Sequence, residues 1–96
     1  MITPHNILKH ELIGLPVEIV SSTNLSLLGI KGKVVFETRN TLIIEKEGCS
    51  KEITVPKDIA VFKFKLDNCS VEVIGKLLIG RPEDRLKRKS KILYPY

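Results

Sequence analysis

The chain has 96 residues, 43% of them hydrophobic, with 16 Lys or Arg against 11 Asp or Glu and a formal net charge of +5. That length excludes a second domain, and because so short a chain buries only about two thirds of its unfolded surface, its core must be compact. No apolar run approaches the roughly 20 residues that cross a bilayer, and Met1 is followed by no basic-then-apolar leader, so a cytoplasmic protein without membrane contact is expected.

Thr3-Pro4 has the chemistry of a helix start: a threonine hydroxyl caps free amides, and proline's fixed φ suits the first helical position. A short helix is predicted from about Pro4 to Ile13, closed by Gly14 in the left-handed conformation. About ten residues are marginal as an isolated helix, so Ile7, Leu8 and Leu12 need a surface to dock on, either the rest of the domain or a partner protein.

From Leu15 the period becomes two. Val17 and Ile19 alternate with Glu18, Val34 and Phe36 with Lys33 and Glu37, and Leu42 and Ile44 with Thr41 and Glu45. Ile53 and Val55 then alternate with Glu52 and Thr54, Ala60, Phe62, Phe64 and Leu66 with Lys63 and Lys65, and Val71 and Val73 with Glu72. Arg39-Asn40, Glu47-Gly48, Pro56-Lys57-Asp58, Asp67-Asn68 and Ile74-Gly75 supply turn chemistry between these segments.

Six half-buried strands at this rhythm predict a mainly β fold. With no Trp and only five aromatic residues, Ile, Leu and Val are expected to dominate the interior. A flat sheet would expose one face and two edges, whereas a bent, Sm-like antiparallel β-barrel buries the aliphatic face. Gly32, inside the second strand, permits either a sharp bend or a bulge. After Leu77-Leu78-Ile79, the run Gly80-Arg81-Pro82-Glu83-Asp84 predicts a second helix from Pro82 to about Leu93. The expected organisation is one domain over residues 1–96: an N-terminal helix within 1–14, the barrel in 15–80 and a basic C-terminal helix and tail in 81–96.

Charge is segregated. Residues 76–91 hold Lys76, Arg81, Arg85, Lys87, Arg88, Lys89 and Lys91 against Glu83 and Asp84, which is the whole net charge, while the remainder carries nine basic and nine acidic residues. Glu83 with Lys87 and Asp84 with Arg88 stand at i,i+4 and can simply stabilise a solvated helix. Arg81, Arg85, Lys89 and Lys91 remain unmatched and suit a polyanion. Lys31, Lys33, Lys63 and Lys65 point away from the predicted core, where they either extend that surface or only keep the protein soluble.

Enzyme signatures are missing: there is no P-loop, GxSxG or HExxH, and the dispersed acids form no local carboxylate cluster for magnesium. His5 and His10, five apart on a helix, diverge, and Cys49 and Cys69 lie twenty positions apart without CxxC spacing, so no bound metal or cofactor is expected and the thiols read as buried or half-buried and free.

Three stretches carry a resemblance: Thr3-Pro4-His5-Asn6-Ile7-Leu8 with His10-Glu11-Leu12-Ile13-Gly14, Gly29-Ile30-Lys31-Gly32-Lys33-Val34-Val35, and Glu37-Thr38-Arg39-Asn40-Thr41-Leu42. It continues through Val55-Pro56-Lys57, Phe62-Lys63-Phe64 and above all the run from Gly75 to Arg85. In order and spacing these resemble the archaeal ribonuclease P protein component 1 family over nearly the whole chain. Phe36 departs from the more polar residue of that pattern, and the cysteines belong to none of its motifs.

The resemblance implies an Sm-like barrel with terminal helices. It also implies a non-catalytic RNA-binding subunit of the particle that removes 5′ leaders from precursor tRNA, the catalyst being a magnesium-dependent RNA. The implied partners are ribonuclease P RNA, ribonuclease P protein component 4 and the other ribonuclease P proteins, with precursor tRNA contacted indirectly. Carried onto this chain, the RNA-binding candidates are Arg39, Lys57, Lys76, Arg81, Arg85, Lys87, Arg88 and Lys89. The partner-contact candidates are Ile7, Leu8, Leu12, Leu86 and Leu93, for which packing on the barrel is the competing reading. A generic Sm-like RNA-binding module or a protein-interaction adaptor accounts for the charge and the barrel, but leaves the Gly75–Arg85 run unexplained.

Overall fold

A computed structural model of the chain describes residues 6–9 and 11–80. Six strands form where the alternation predicts them: β1 Pro16–Ser22, β2 Lys31–Glu37, β3 Thr41–Lys46, β4 Glu52–Pro56, β5 Ala60–Lys65 and β6 Ser70–Ile74. Their branched and aromatic side chains suit a pleated, half-buried surface. Val17, Ile19, Val34, Leu42, Ile44, Val55, Phe62, Phe64, Val71 and Val73 are all buried, while the residues between them face outward or lie half exposed.

The strands make one antiparallel sheet in the order β4-β3-β2-β1-β5-β6. The link from β4 to β5 shows that this sheet is curled. It consists of a three-residue 3-10 turn, Lys57–Ile59, yet β4 and β5 stand four ladder positions apart. In a flat sheet that separation is about 19 Å, more than so short a connection spans even fully extended, roughly 14 Å. Curling brings residues of all six strands into a single core, closed by Ile7, Leu8, Leu12, Leu66 and Leu78. Each such side chain contributes about 1.5–3 kcal/mol by leaving water. Phe62 and Phe64, two apart on one face, stack tilted with centroids 6.0 Å apart.

Gly32 serves the bend by close approach. A Cβ on it would lie 2.1 Å from the carbonyl oxygen of Glu45 on the neighbouring strand. The pairing shifts instead fall elsewhere, between Val34 and Phe36 on β2 and between Ile19 and Ser21 on β1.

The first of these shifts corrects the inward placement of Phe36. An extra residue in one strand of a pair inverts the alternation beyond it, so Phe36 is 53% exposed and Glu37 is buried.

The N-terminal prediction also needs correcting. The described residues show a single 3-10 turn at Ile7–Lys9 where a ten-residue helix was expected, and Pro4 and His10 lie outside them. Gly14 does take positive φ, +96°, and its N–H donates to the Val34 carbonyl, starting the ladder between β1 and β2. The helix predicted from Pro82 to Leu93 lies wholly outside the described residues. Cys69 is half buried against the core, whereas Cys49 is exposed at the β3–β4 turn rather than buried; both are free.

Candidate nucleic-acid interface

At one end of the barrel the β2–β3 turn, the β4–β5 link and the segment after β6 converge on Lys57. The 3-10 turn that Lys57 opens directs its side chain inward, and it is 0% exposed. Its three ammonium N–H groups are shared among four acceptors, Glu37 Oε2 at 2.7 Å and the carbonyls of Thr38 at 2.8 Å, Gly80 at 3.0 Å and Arg39 at 3.2 Å. Burying an unpaired ammonium is prohibitive, whereas one surrounded by a carboxylate and three carbonyls is compensated. Glu37 is available for this pairing only because the β2 bulge turned it inward.

The turn itself is self-bonded. Thr38 N–H donates to the Thr41 carbonyl, Thr41 N–H donates to Thr38 Oγ1, and the two hydroxyls share a hydrogen bond of 2.5 Å. Lys57 N–H donates to the Asn40 carbonyl at 2.8 Å, and Gly80 N–H to the Arg39 carbonyl at 2.7 Å. Gly80, at φ +106°, is therefore held on both sides, its N–H by the turn carbonyl of Arg39 and its carbonyl by the Lys57 ammonium.

A second glycine makes this convergence possible. Gly75 opens the 3-10 turn Gly75–Leu78 and packs so closely on the β4–β5 link that a Cβ there would lie 1.8 Å from the Lys57 carbonyl oxygen and 2.6 Å from that of Ala60. The run from Gly75 to Gly80 thus lies against Lys57 at one end and Arg39 at the other.

The predicted cations fare unequally. Arg39 and Lys76 are exposed at this pole. Lys57, expected on the surface beside them, is instead buried as the tie beneath it and offers no ammonium to a phosphate. Arg81, Arg85, Lys87, Arg88 and Lys89 lie outside the described residues, the last of which, Gly80, is tied to the Arg39 turn. Glu37 was missed because strict alternation hides a bulge.

Of the partner-contact candidates, Ile7, Leu8 and Leu12 are buried in the barrel core at 0–2% exposure, which corrects their assignment to a partner surface. Leu86 and Leu93 lie outside the described residues. Among the described residues no three His, Cys, Asp or Glu side chains are grouped to hold a metal ion, and no helix is long and apolar enough to cross a membrane.

Fold and pole together define a small antiparallel barrel with Gly80, the residue before the basic run of the sequence, tied to one end. A model of the family described as Ribonuclease P/MRP, subunit p29, matches residues 5–88. The chain is 70% identical over 96 residues, the full length of both, to ribonuclease P protein component 1 of Methanococcus aeolicus and equally to that of Methanocaldococcus jannaschii. With the same component of Pyrococcus horikoshii it shares 46% over 91 residues, 94% of this chain and 69% of the other. A solved structure described as Mth11, a homologue of human RNase P protein Rpp29, is 53% identical with a TM-score of 0.58, covering 79% of this chain and 97% of its own. The chain belongs to the ribonuclease P/MRP subunit p29 family, whose archaeal members named here are ribonuclease P protein component 1.

Proposed function

We propose that the protein is a non-catalytic RNA-binding subunit of ribonuclease P, acting with a catalytic RNA in the removal of 5′ leaders from precursor tRNA. The observation that carries this reading is the fixing of Gly80, the residue before the basic run 81–91 of the sequence, to the Arg39 turn at a barrel end with two exposed cations. Guanidinium and ammonium groups clustered in one surface grip phosphates and duplex shape instead of reading bases. In this reading magnesium belongs to the RNA, the chain binds no cofactor, and it works in the cytoplasm with ribonuclease P protein component 4 and the other protein subunits.

Reconstitution tests it. Ribonuclease P RNA and the remaining proteins are assayed on precursor tRNA with and without this chain across a magnesium titration. The expected result is a lower magnesium requirement or faster cleavage when the chain is present. Unchanged cleavage and unchanged magnesium dependence would remove the assignment, and cleavage by the purified chain alone would contradict its non-catalytic role.

A further inference from the structure

The opposite end of β2 carries a second cationic feature. Lys31 and Lys33 begin β2, six to eight residues before Arg39, so they lie about 20 Å along the strand from the first pole. With Lys63 and Lys65 of β5 they border an open groove of about 780 Å³ on the outer face of the sheet.

Register explains its shape. β1 lies between β2 and β5, and its outward residues here are Pro16 and Glu18. Glu18 pairs with Lys31 on one side and Lys63 on the other, and Lys63 in turn with Glu72 of β6, so that row is internally neutralised. One step along, Pro16 pairs with Lys33, and the Val17–Phe64 pairing sets Lys65 on its other side. Two ladder spacings separate the Cα atoms of Lys33 and Lys65 by roughly 10 Å, with an uncharged proline between them as floor.

Charge balance favours an anion. The lining holds five lysines, the fifth being Lys46, against three glutamates, Glu18, Glu45 and Glu47, and with Glu72 opposite Lys63 the balance remains positive by one charge. Cross-strand carboxylates account for Lys31, Lys63 and Lys33, the last opposite Glu45. Lys65 instead stands opposite Ser70, and Lys46 opposite Gly32. Of these two only Lys65 lies in the Pro16 row, where it and Lys33 are the flexible stems flanking a trough one polyanionic strand wide. A protein partner would need acidic side chains at that same spacing, whereas a phosphodiester chain repeats its charge along the whole groove.

We propose that this groove is a second RNA-binding site, holding a phosphodiester strand between Lys33 and Lys65. The protein would then bridge two RNA segments, one at each end of the barrel. This rests on the RNA-binding reading above and adds a site that the basic C-terminal segment does not supply.

The test uses the full chain and a ribonuclease P RNA transcript. Affinity is measured across a salt series for the unaltered protein, for Lys33→Gln with Lys65→Gln, and for Arg39→Gln with Lys76→Gln. Loss of two phosphate contacts is expected to lower the slope of log affinity against log salt by about 1.5 to 2 in the groove variant. The pole variant should lower it separately, and the two effects should add. As a check that needs no substitution, bound RNA should shield Lys33 and Lys65 of the unaltered protein from acetylation. If the pole variant loses slope while the groove variant keeps both slope and affinity and its lysines stay reactive, the groove proposal is overturned and the RNA-binding reading survives. Groove substitutions that weaken binding of a protein subunit but not of RNA would also overturn it. Failure of the unaltered chain to bind the transcript would remove both readings together.

Discussion

The Lys57 ammonium lies 2.7 Å from Glu37 Oε2, with the two side chains 0% and 1% exposed, and this pair joins the end of β2 to the link between β4 and β5. The same ammonium reaches the Gly80 carbonyl, so one buried charge holds together three segments distant in the chain. A buried ion pair adds little net stability relative to well-packed apolar residues, but losing one member strands the other.

Lys57→Met should therefore destabilise the fold by about 3–5 kcal/mol, because Glu37 remains buried without its partner. Combining it with Glu37→Gln should cost less than the sum of the two single changes, a coupling of roughly 1–3 kcal/mol in denaturant unfolding. Additive losses would mean that the two side chains do not act as a pair.

Glycine-to-alanine changes should separate by mechanism. At Gly75 and Gly32 the new methyl collides with neighbouring backbone that cannot yield, so each should cost at or above the roughly 1–3 kcal/mol range of overpacking. At Gly48, φ +83° with nothing within 4 Å, backbone strain alone should cost about 1–2 kcal/mol. Urea midpoints rank the three, and a Gly48 change as costly as Gly75 would contradict the packing assignment.

Phe36→Ser should change stability by no more than about 0.5 kcal/mol, as expected of an exposed side chain. Phe62→Ala should cost about 3–5 kcal/mol and Leu12→Ala about 2–5 kcal/mol. A large loss at Phe36 would mean that β2 runs without its bulge, and a negligible one at Leu12 would return the N-terminal apolar residues to a partner surface.

Amide exchange reports on the tie itself. Gly80 N–H, bonded to the Arg39 carbonyl, should be protected in the unaltered protein and should exchange at least tenfold faster in Lys57→Met, while core amides such as that of Ile44 keep their order of protection. Equal acceleration at all amides would indicate global loosening and no specific anchoring role.

Strand alternation made the architecture readable, because Val17, Leu42, Phe62 and Val73 sit on one face whatever the loops do. It failed at β2 for a physical reason: one extra residue between Val34 and Phe36 exchanges the faces of Phe36 and Glu37, and no local pattern in the sequence announces that insertion. Lys57 was misread by the same route. A lysine in a Pro-Lys-Asp turn ordinarily projects into water, and only the inward carboxylate and three converging carbonyls make its burial favourable. Ile7, Leu8 and Leu12 carried the correct apolar signal for docking, but helical spacing gave the wrong local geometry, since core contact and not intrinsic propensity sets a 3-10 turn there. The basic character of residues 76–91 was plain from composition. The tie of Gly80 to Arg39 was not, because that is a contact between residues 41 apart in the chain.

The most direct measurement is the salt dependence of affinity for ribonuclease P RNA, comparing the unaltered chain with one in which Arg81, Arg85, Arg88 and Lys89 are all replaced by Gln. The account predicts a steep dependence, about 0.7 to 0.9 in slope for each phosphate contact, that falls by roughly 3 in the variant, with particle assembly weakened in parallel. An unchanged slope together with undiminished assembly and tRNA maturation would contradict it.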